Sequence, residues 1–526
     1  MALLGTLFKR TLQAGKALQF NILSPRLQQK LVLARLLRKA RNTDIGRYYG
    51  FSSILDSGQM LDEFSRRIPI HDYNTLNERW WKRYHEGKSN VTWPGKIKYF
   101  ALSSGTSEAA SKYIPVSGDM IKSMRRTSLK QMLVLSRFDF PSELFEKGIM
   151  MLGGSASLKH SGHYFYGDLS GINTSKIPLW FTPFFKPGDR IAKIKDWEQK
   201  IQEIALQAKD WDIWVVTGIP SWMQLLFERI IQHYQVQTIH DIWPNLQVFA
   251  YGGVAIDPYL PAFSRLCSRP LSFIETYLAS EGFLAYDTRI APERKGMRLS
   301  LNNGIYYEFI PFDEEHFDEE GQVRPEAKAI PLDQVQAHRD YALLITTCSG
   351  AWRYLIGDTV RFEDLAHLEI RITGRIKHFL SLCGEHLSME NINESLLKLA
   401  QDEDLTMGEC TVMGLSGEAG YGHRWYLSVA ADQVDSVRLR QEALLTKLDN
   451  ILCMLNDDYE VERRHALARM EIVVLSEDIP LQWMSTLNKL GGQHKFPRVL
   501  KGKYAESWLD FVRETTPVSL PLRSNR

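Results

Sequence analysis

The chain has 526 residues, with 64 Lys and Arg against 62 Asp and Glu, a formal net charge of +2, and 44% apolar and 24% charged residues. This is the balance of an ordinary globular protein; it excludes a disordered tail, a collagen and a disulfide-stapled miniprotein. At roughly 100–200 residues per domain the length allows two to four domains, and so small a net charge argues against nucleic acid as the main partner.

The N-terminal twenty residues (MALLGTLFKRTLQAGKALQF) are mildly amphipathic and lack the continuous core and cleavage site of a signal peptide. They read as a helix packed on the body, with peripheral membrane contact as the alternative. Ser24-Pro25 is a helix start, a capping hydroxyl followed by proline in the first turn. Arg26 to Arg41 then spaces leucines as a surface helix with one buried stripe does. Trp211 to Thr217, Leu246 to Tyr251 and Tyr341 to Thr347 are apolar strands, each followed by a glycine turn. That alternation with helical segments predicts α/β layers, in which ligands collect at the loops leaving the strand ends. The acidic stretch 312–339, with Pro325 and Pro331, reads as a solvated connection.

From His367 to Thr373 apolar and polar residues alternate as in a half-exposed strand. Beyond Gly374-Arg375 the pattern predicts a helix near Met389 to Leu399, a strand at Trp425 to Ala430, one long helix from about Ser436 to Asp457 and a strand at Met470 to Leu475. This reads as a separate small domain, giving units 1–373 and 379–526 around a hinge at 374–378. Cys267, Cys348, Cys383, Cys410 and Cys453 are odd in number and without metal-type spacing, so they are expected to be free thiols. No run reaches the roughly 18 apolar residues of a membrane span.

Five segments could carry chemistry, although each alone is an ordinary turn. Ser103, Ser104, Gly105, Thr106 and Ser107 follow an extended segment; small hydroxyl residues around a glycine let amides and hydroxyls reach phosphate oxygens. The usual phosphate-loop ending Gly-Lys-Ser/Thr is missing. In Tyr277-Leu278-Ala279-Ser280-Glu281-Gly282 the carboxylate could hold magnesium, which takes one or two protein carboxylates and keeps several waters. In Tyr354-Leu355-Ile356-Gly357-Asp358 the aspartate could accept ribose hydroxyls. Gly374-Arg375-Ile376-Lys377 puts two cations at the inferred boundary, and Gly492 to Lys503 is a glycine-flanked cationic stretch.

The order of these segments resembles the adenylate-forming superfamily that includes firefly luciferase and acyl-CoA synthetases. More narrowly it resembles the Gretchen Hagen acyl acid–amido synthetases, which conjugate auxin and jasmonate. The resemblance is carried by YFALSSGTSEAASKYIP (Tyr99 to Pro115), FAYGGVAIDPY (Phe249 to Tyr259), ETYLASEGF (Glu275 to Phe283), LITTCSGAWRYLIGDTVRF (Leu344 to Phe362), GRIKHFLSLCGEHLS (Gly374 to Ser388) and GQHKFPR (Gly492 to Arg498). It implies a large N-terminal adenylate-forming domain and a small mobile C-terminal α+β domain. It implies ATP phosphates at Ser103 to Ser107, adenine along Tyr251, Gly252, Gly253 and Tyr277 with Ser280 beside them, ribose at Asp358 and magnesium on Glu281. Arg375 and Lys377 would sit at the hinge, and a catalytic lysine would be Lys495 or, by the superfamily's Pro-to-Lys spacing, Lys503. Where the family commonly has Gly-Glu-Lys and Tyr-Arg, this chain has Gly384-Glu385-His386 and Arg353-Tyr354.

The implied reaction converts a carboxylic acid and ATP to an acyl-adenylate and then to an amide with an amino acid. Coenzyme A as acceptor, or a binding protein without turnover, are the alternatives. An apolar acyl pocket is expected from Met151 to Tyr166 and Trp211 to Phe227, with His160, Tyr166, Trp214 and Trp222 as candidates.

Overall fold

The computed structural model describes residues 23–103, 112–135, 140–153, 156–174, 182–289, 294–318, 321–376, 385, 387–417, 420–465, 467–490 and 495–516. The N-terminal twenty residues, Ser104 to Ser107, Lys377, Cys383 and His386 lie outside them. The chain opens with the expected helix, Pro25–Ala40: Ser24 Oγ accepts from the Leu27 amide, and Val32, Leu33, Leu36, Leu37 and Ala40 are buried.

A twelve-stranded sheet is the spine. At one end Gly148–Leu152, Ile213–Gly218, Val248–Gly252 and Ser272–Ala279 run parallel. Apolar residues fill both of their faces because helices cover them, as parallel strands require; Trp222, Leu226 and Phe227 of Pro220–Tyr234 belong to one such layer. At Ser272–Ala279 the sheet turns antiparallel. It continues through Gly282–Tyr286, Met297–Leu299, Glu369–Arg375, Tyr354–Asp364, Asp340–Thr347 and Ile305–Pro311. The N-terminal helices pack on this half, where Trp81, Trp352 and Tyr354 are fully buried. A second, four-stranded sheet joins Lys112–Val116, Tyr99–Ser103, Tyr164–Gly167 and Lys159–Ser161.

The C-terminal part has its own four-stranded sheet, in the order Leu467–Ser476, Gly420–Val429, Thr411–Gly417, Val499–Leu500. Its two cores are separate from those of the large sheet. Gly374 and Arg375 still pair with Thr359 and Asp358 in the large sheet, and Ile376 packs with Ile310, Phe317 and Ala342.

Two expectations need correction. The single helix over Ser436 to Asp457 is two, Val434–Leu439 and Gln441–Leu455, interrupted at Arg440, and a further helix, Asp457–His465, follows. Near the expected end, Asn456 turns its side-chain oxygen to the Tyr459 amide at 2.8 Å, as the N-cap of the following helix does. The stretch 312–339 is more than a solvated connection, because Ile330–Pro331 pairs with Glu308 and Phe309, and Phe317 is buried.

Arg353, the residue that departs from the family order, has a structural place. It adopts φ 43° and is buried. Its guanidinium meets both carboxylate oxygens of buried Glu308 at 3.1 Å and donates to the Ser65 and Ile68 carbonyls at 2.9 and 2.7 Å. Removing one partner strands the other charge in the interior. Arg353→Ala is therefore expected to lower unfolding stability by about 3 kcal/mol, read from urea denaturation; a change indistinguishable from zero would contradict the ion-pair account.

Candidate active site

Three strand ends and one segment of the small unit come together. Ser280 and Glu281 form the tight turn that closes Ser272–Ala279 onto Gly282–Tyr286. Glu281 is buried, and the Tyr354 hydroxyl donates to its carboxylate. Burial, then the charge of Asp358, pushes Glu281 up to about 7, with Lys112 and Arg375 opposing. Lys112, whose charge acts on Glu281, pairs with Ser103, the last described residue before the Ser104 to Ser107 loop. The loop itself lies outside the described residues.

Asp358 is the hub. Its carboxylate accepts from the Tyr277 hydroxyl at 2.6 Å on one oxygen and from Arg375 Nε at 2.8 Å on the other. Each bond uses one lone pair, and a carboxylate offers about four sites, so a vicinal diol could still donate two more. Tyr277 and Asp358 are both buried, which fixes the group between its two donors.

On the neighbouring parallel strand, Tyr251-Gly252-Gly253 carries a backbone that only glycine allows. A Cβ on Gly252 would lie 2.4 Å from the Thr276 carbonyl oxygen. Gly253 has φ 88°, and a Cβ there would lie 2.9 Å from Lys495 Nζ. The missing side chains let the Thr276 backbone and the Lys495 side chain approach the strand end closely. Beneath them Tyr251 is held by Arg294, which also pairs with buried Asp287 at 2.6 Å. Burial raises Asp287 to about 6 and, helped by the charge of Asp287, Glu275 to about 7.

Lys495 comes from the small unit, and its ammonium donates to the Gly253 carbonyl. The protein around it, then Arg375, pushes it down to about 8, with Asp358 opposing, while the side chain itself is exposed to solvent. Three residues on, Arg498 pairs with Glu409 at 3.0 Å and donates to the Cys410 carbonyl at 3.0 Å. The other Glu409 oxygen accepts from the Tyr259 hydroxyl of the large unit at 2.8 Å. These bonds clamp the segment bearing Lys495 against the large sheet. Lys503, the rival lysine, stands exposed in the first turn of Gly502–Thr515.

The structure thus brings Tyr251, Gly252, Gly253, Tyr277, Ser280, Glu281, Asp358, Arg375 and Lys495 together. Of the acyl candidates, Tyr166 stands 5.4 Å from Tyr113, next to Lys112. His160 is exposed beside Phe165. Trp214 packs against Phe145 and Trp222 against Trp197, so both fill interior layers. Sequence reasoning passed over Tyr354 and the Tyr259–Glu409–Arg498 chain. Tyr354 was within reach, four residues before Asp358 in the same motif.

The profile described as the GH3 family N-terminal domain matches residues 18–208, and that described as the GH3 family central domain matches 299–375. Among curated relatives, the probable indole-3-acetic acid-amido synthetase GH3.6 of Oryza sativa subsp. japonica is 28% identical over 26% of this chain and 28% of its own length. Jasmonoyl–L-amino acid synthetase JAR4 of Nicotiana attenuata is 21% identical over 75% of this chain and 77% of its own. The chain thus aligns with only about a quarter of the length of relatives such as GH3.6. Among solved structures, GH3.15 acyl acid amido synthetase superposes with a TM-score of 0.76 at 16% identity, covering 96% of both chains. A 2-hydroxyisobutyryl-CoA ligase in its postadenylation state gives 0.57 at 10% identity, covering 93% and 92%. The fold is therefore that of adenylate-forming enzymes. With the two profiles covering just over half of its length, the chain belongs to the GH3 family.

Proposed function

We propose that the chain is an acyl acid–amido synthetase, which activates a carboxylic acid with ATP and passes the acyl group to an amino acid, in the cytoplasm. The convergence of Asp358, Glu281 and Lys495 carries the reading: a carboxylate with lone pairs left for a diol, a buried second carboxylate and a cation from the other unit suit a nucleotide polyphosphate.

A carboxylate is a poor acyl donor because its oxygen leaves badly. Its attack on the α-phosphorus of ATP expels pyrophosphate and leaves a mixed anhydride. The amine nitrogen then adds to the acyl carbon, AMP leaves with the former carboxylate oxygen, and the nitrogen gives up a proton. No covalent enzyme nucleophile is required. Negative charge gathers on the phosphoryl oxygens, so catalysis rests on positioning and electrostatic stabilisation.

In this reading Asp358 takes the ribose hydroxyls, and Gly252-Gly253 and Tyr277 flank the adenine. Lys495 meets the α-phosphate, while Arg375 holds Asp358 in register. Ser103 to Ser107 and Lys377 belong to the phosphate side. The buried Glu281 fits magnesium, a hard cation that takes few protein carboxylates. It would hold the ion, which when bound neutralises phosphate charge. Turning the small unit about residues 374–378 would withdraw Lys495 and open a path for the amine.

The test is ATP–pyrophosphate exchange over a panel of aromatic and fatty acids, followed by mass spectrometry with mixed amino acids or coenzyme A. Acid-dependent exchange and an amide product are expected. A thioester alone would replace the amine by coenzyme A, and ATP binding without exchange on any acid would refute turnover.

A further inference from the structure

The first 43 residues contain nine Lys and Arg and no Asp or Glu; the rest of the chain carries 55 cations against 62 carboxylates. The near-neutral total therefore hides a strongly basic beginning on an acidic body. The described part of this region is mainly the helix Pro25–Ala40.

One side of that helix is fixed. Val32, Leu33, Leu36 and Leu37 are buried, and Gln29 donates to the Leu301 and Ile305 carbonyls at 2.9 and 3.2 Å while accepting from the Tyr307 amide at 2.8 Å. These contacts make the helix part of the packed fold. Its other side is unusual. Leu27 and Leu31, one turn apart, are 41% and 46% exposed, and Leu23 just before the helix is 43% exposed. At 100° per residue, Lys30, Arg35, Arg38 and Arg41 share or border the same outward arc. Two cations of the helix are answered by neighbours, Arg26 by Asp333 at 3.2 Å and Lys39 by Asp119 at 2.6 Å. Lys30, Arg35, Arg38 and Arg41 have no carboxylate partner among the described residues.

We propose that this face is a docking surface for an anionic lipid membrane, on which the protein rests peripherally. Exposed leucines beside unanswered cations are the chemistry of the bilayer interface. The apolar side chains enter the boundary between headgroups and acyl chains, and the cations meet lipid phosphate and carboxylate groups. An anionic surface supplies the negative charge that this face lacks. A nucleic acid would use the cations and leave the leucines idle. No helix among the described residues is long and apolar enough to cross a membrane, so contact at this face would be superficial.

The full chain should co-sediment with vesicles of phosphatidylcholine mixed with phosphatidylserine, far less with phosphatidylcholine alone, and should be released by salt. Arg35→Glu with Arg38→Glu is expected to weaken binding about tenfold or more. Leu27→Ser with Leu31→Ser should weaken it several-fold while keeping the salt dependence. All four positions are exposed, and circular dichroism confirms that the fold is kept. Equal binding to neutral vesicles, no binding, or variants that bind like the parent would overturn the proposal. So would duplex DNA binding in place of vesicle binding, or a leucine variant that changes the oligomeric mass.

Discussion

Glu281→Gln is expected to produce a protein that is more stable at pH 8 and almost inactive. The carboxyl group lies buried in its turn, and burial together with Asp358 raises it from 4.5 to about 7. Between these two values the native chain holds a proton that the unfolded chain has released. Stability therefore falls as the pH rises through this window, and the cost of the buried charge is fully present above about pH 7. Glutamine has the same shape, can still accept from the Tyr354 hydroxyl and carries no charge. Without nucleotide and divalent metal, the variant should gain on the order of 2 kcal/mol at pH 8 and differ little from the parent near pH 4. Its ATP–pyrophosphate exchange should fall at least about 100-fold, the scale of losing one charge-stabilising group. Thermal melts at both pH values and one exchange assay suffice. A variant that melts lower at pH 8, or one that exchanges within a few-fold of the parent, would remove Glu281 from the site.

The opposed signs say something about the site. Glu275, Asp287 and Glu281 are all raised by burial, toward 7, 6 and 7. Arg294 answers Asp287 directly, whereas Glu281 has a phenol and more distant cations. A fold selected for stability alone would not hold an acid this way. In the proposed reading, that unfavourable charge is what a cationic ligand at Glu281 would relieve.

The parts of this site that could be read from sequence are those whose meaning is local. Gly252-Gly253 ends an apolar strand, and its backbone demands are met by residue type alone. The Tyr277 to Gly282 and Tyr354 to Asp358 segments each combine a strand with a turn, and their order along the chain carries the family resemblance. What stayed hidden are bonds between distant segments. Nothing near Tyr259 announces Glu409, 150 residues away, and nothing near Asp358 announces that both Tyr277 and Arg375 hold it. Two of the aromatic candidates, Trp214 and Trp222, show a related limit. Composition does not distinguish a pocket wall from an interior layer, and Trp214 and Trp222 fill interior layers. Arg440 shows the same limit in secondary structure, since the helical pattern runs on past it while the backbone there leaves the helix between Val434–Leu439 and Gln441–Leu455.

Lys495→Ala should cripple the first half-reaction and spare the second. The ammonium sits at the Gly253 carbonyl within the field of Asp358 and Arg375, where it can face an α-phosphate. Its loss should lower ATP–pyrophosphate exchange about 100-fold, while a chemically made acyl-adenylate should still be converted to amide at close to the parent rate. Lys503→Ala, on the exposed first turn of the last helix, should leave exchange near the parent value. The pH profile gives a second, independent reading. A lysine pushed down to about 8 is charged below that value and neutral above it, so exchange should decline as the pH rises through about 8. An ordinary lysine would keep its charge to about 10.4. Tyr259→Phe provides the graded case. It keeps the packing of the ring but removes the bond to Glu409, and so loosens the Arg498 segment that carries Lys495. Exchange should drop moderately, with little change in the KM for ATP, because Asp358, the proposed ribose acceptor, is untouched. A severe Lys503→Ala, or a profile flat to pH 10, would transfer the role away from Lys495. The clamp would then be holding the two units together for some purpose other than placing a charge.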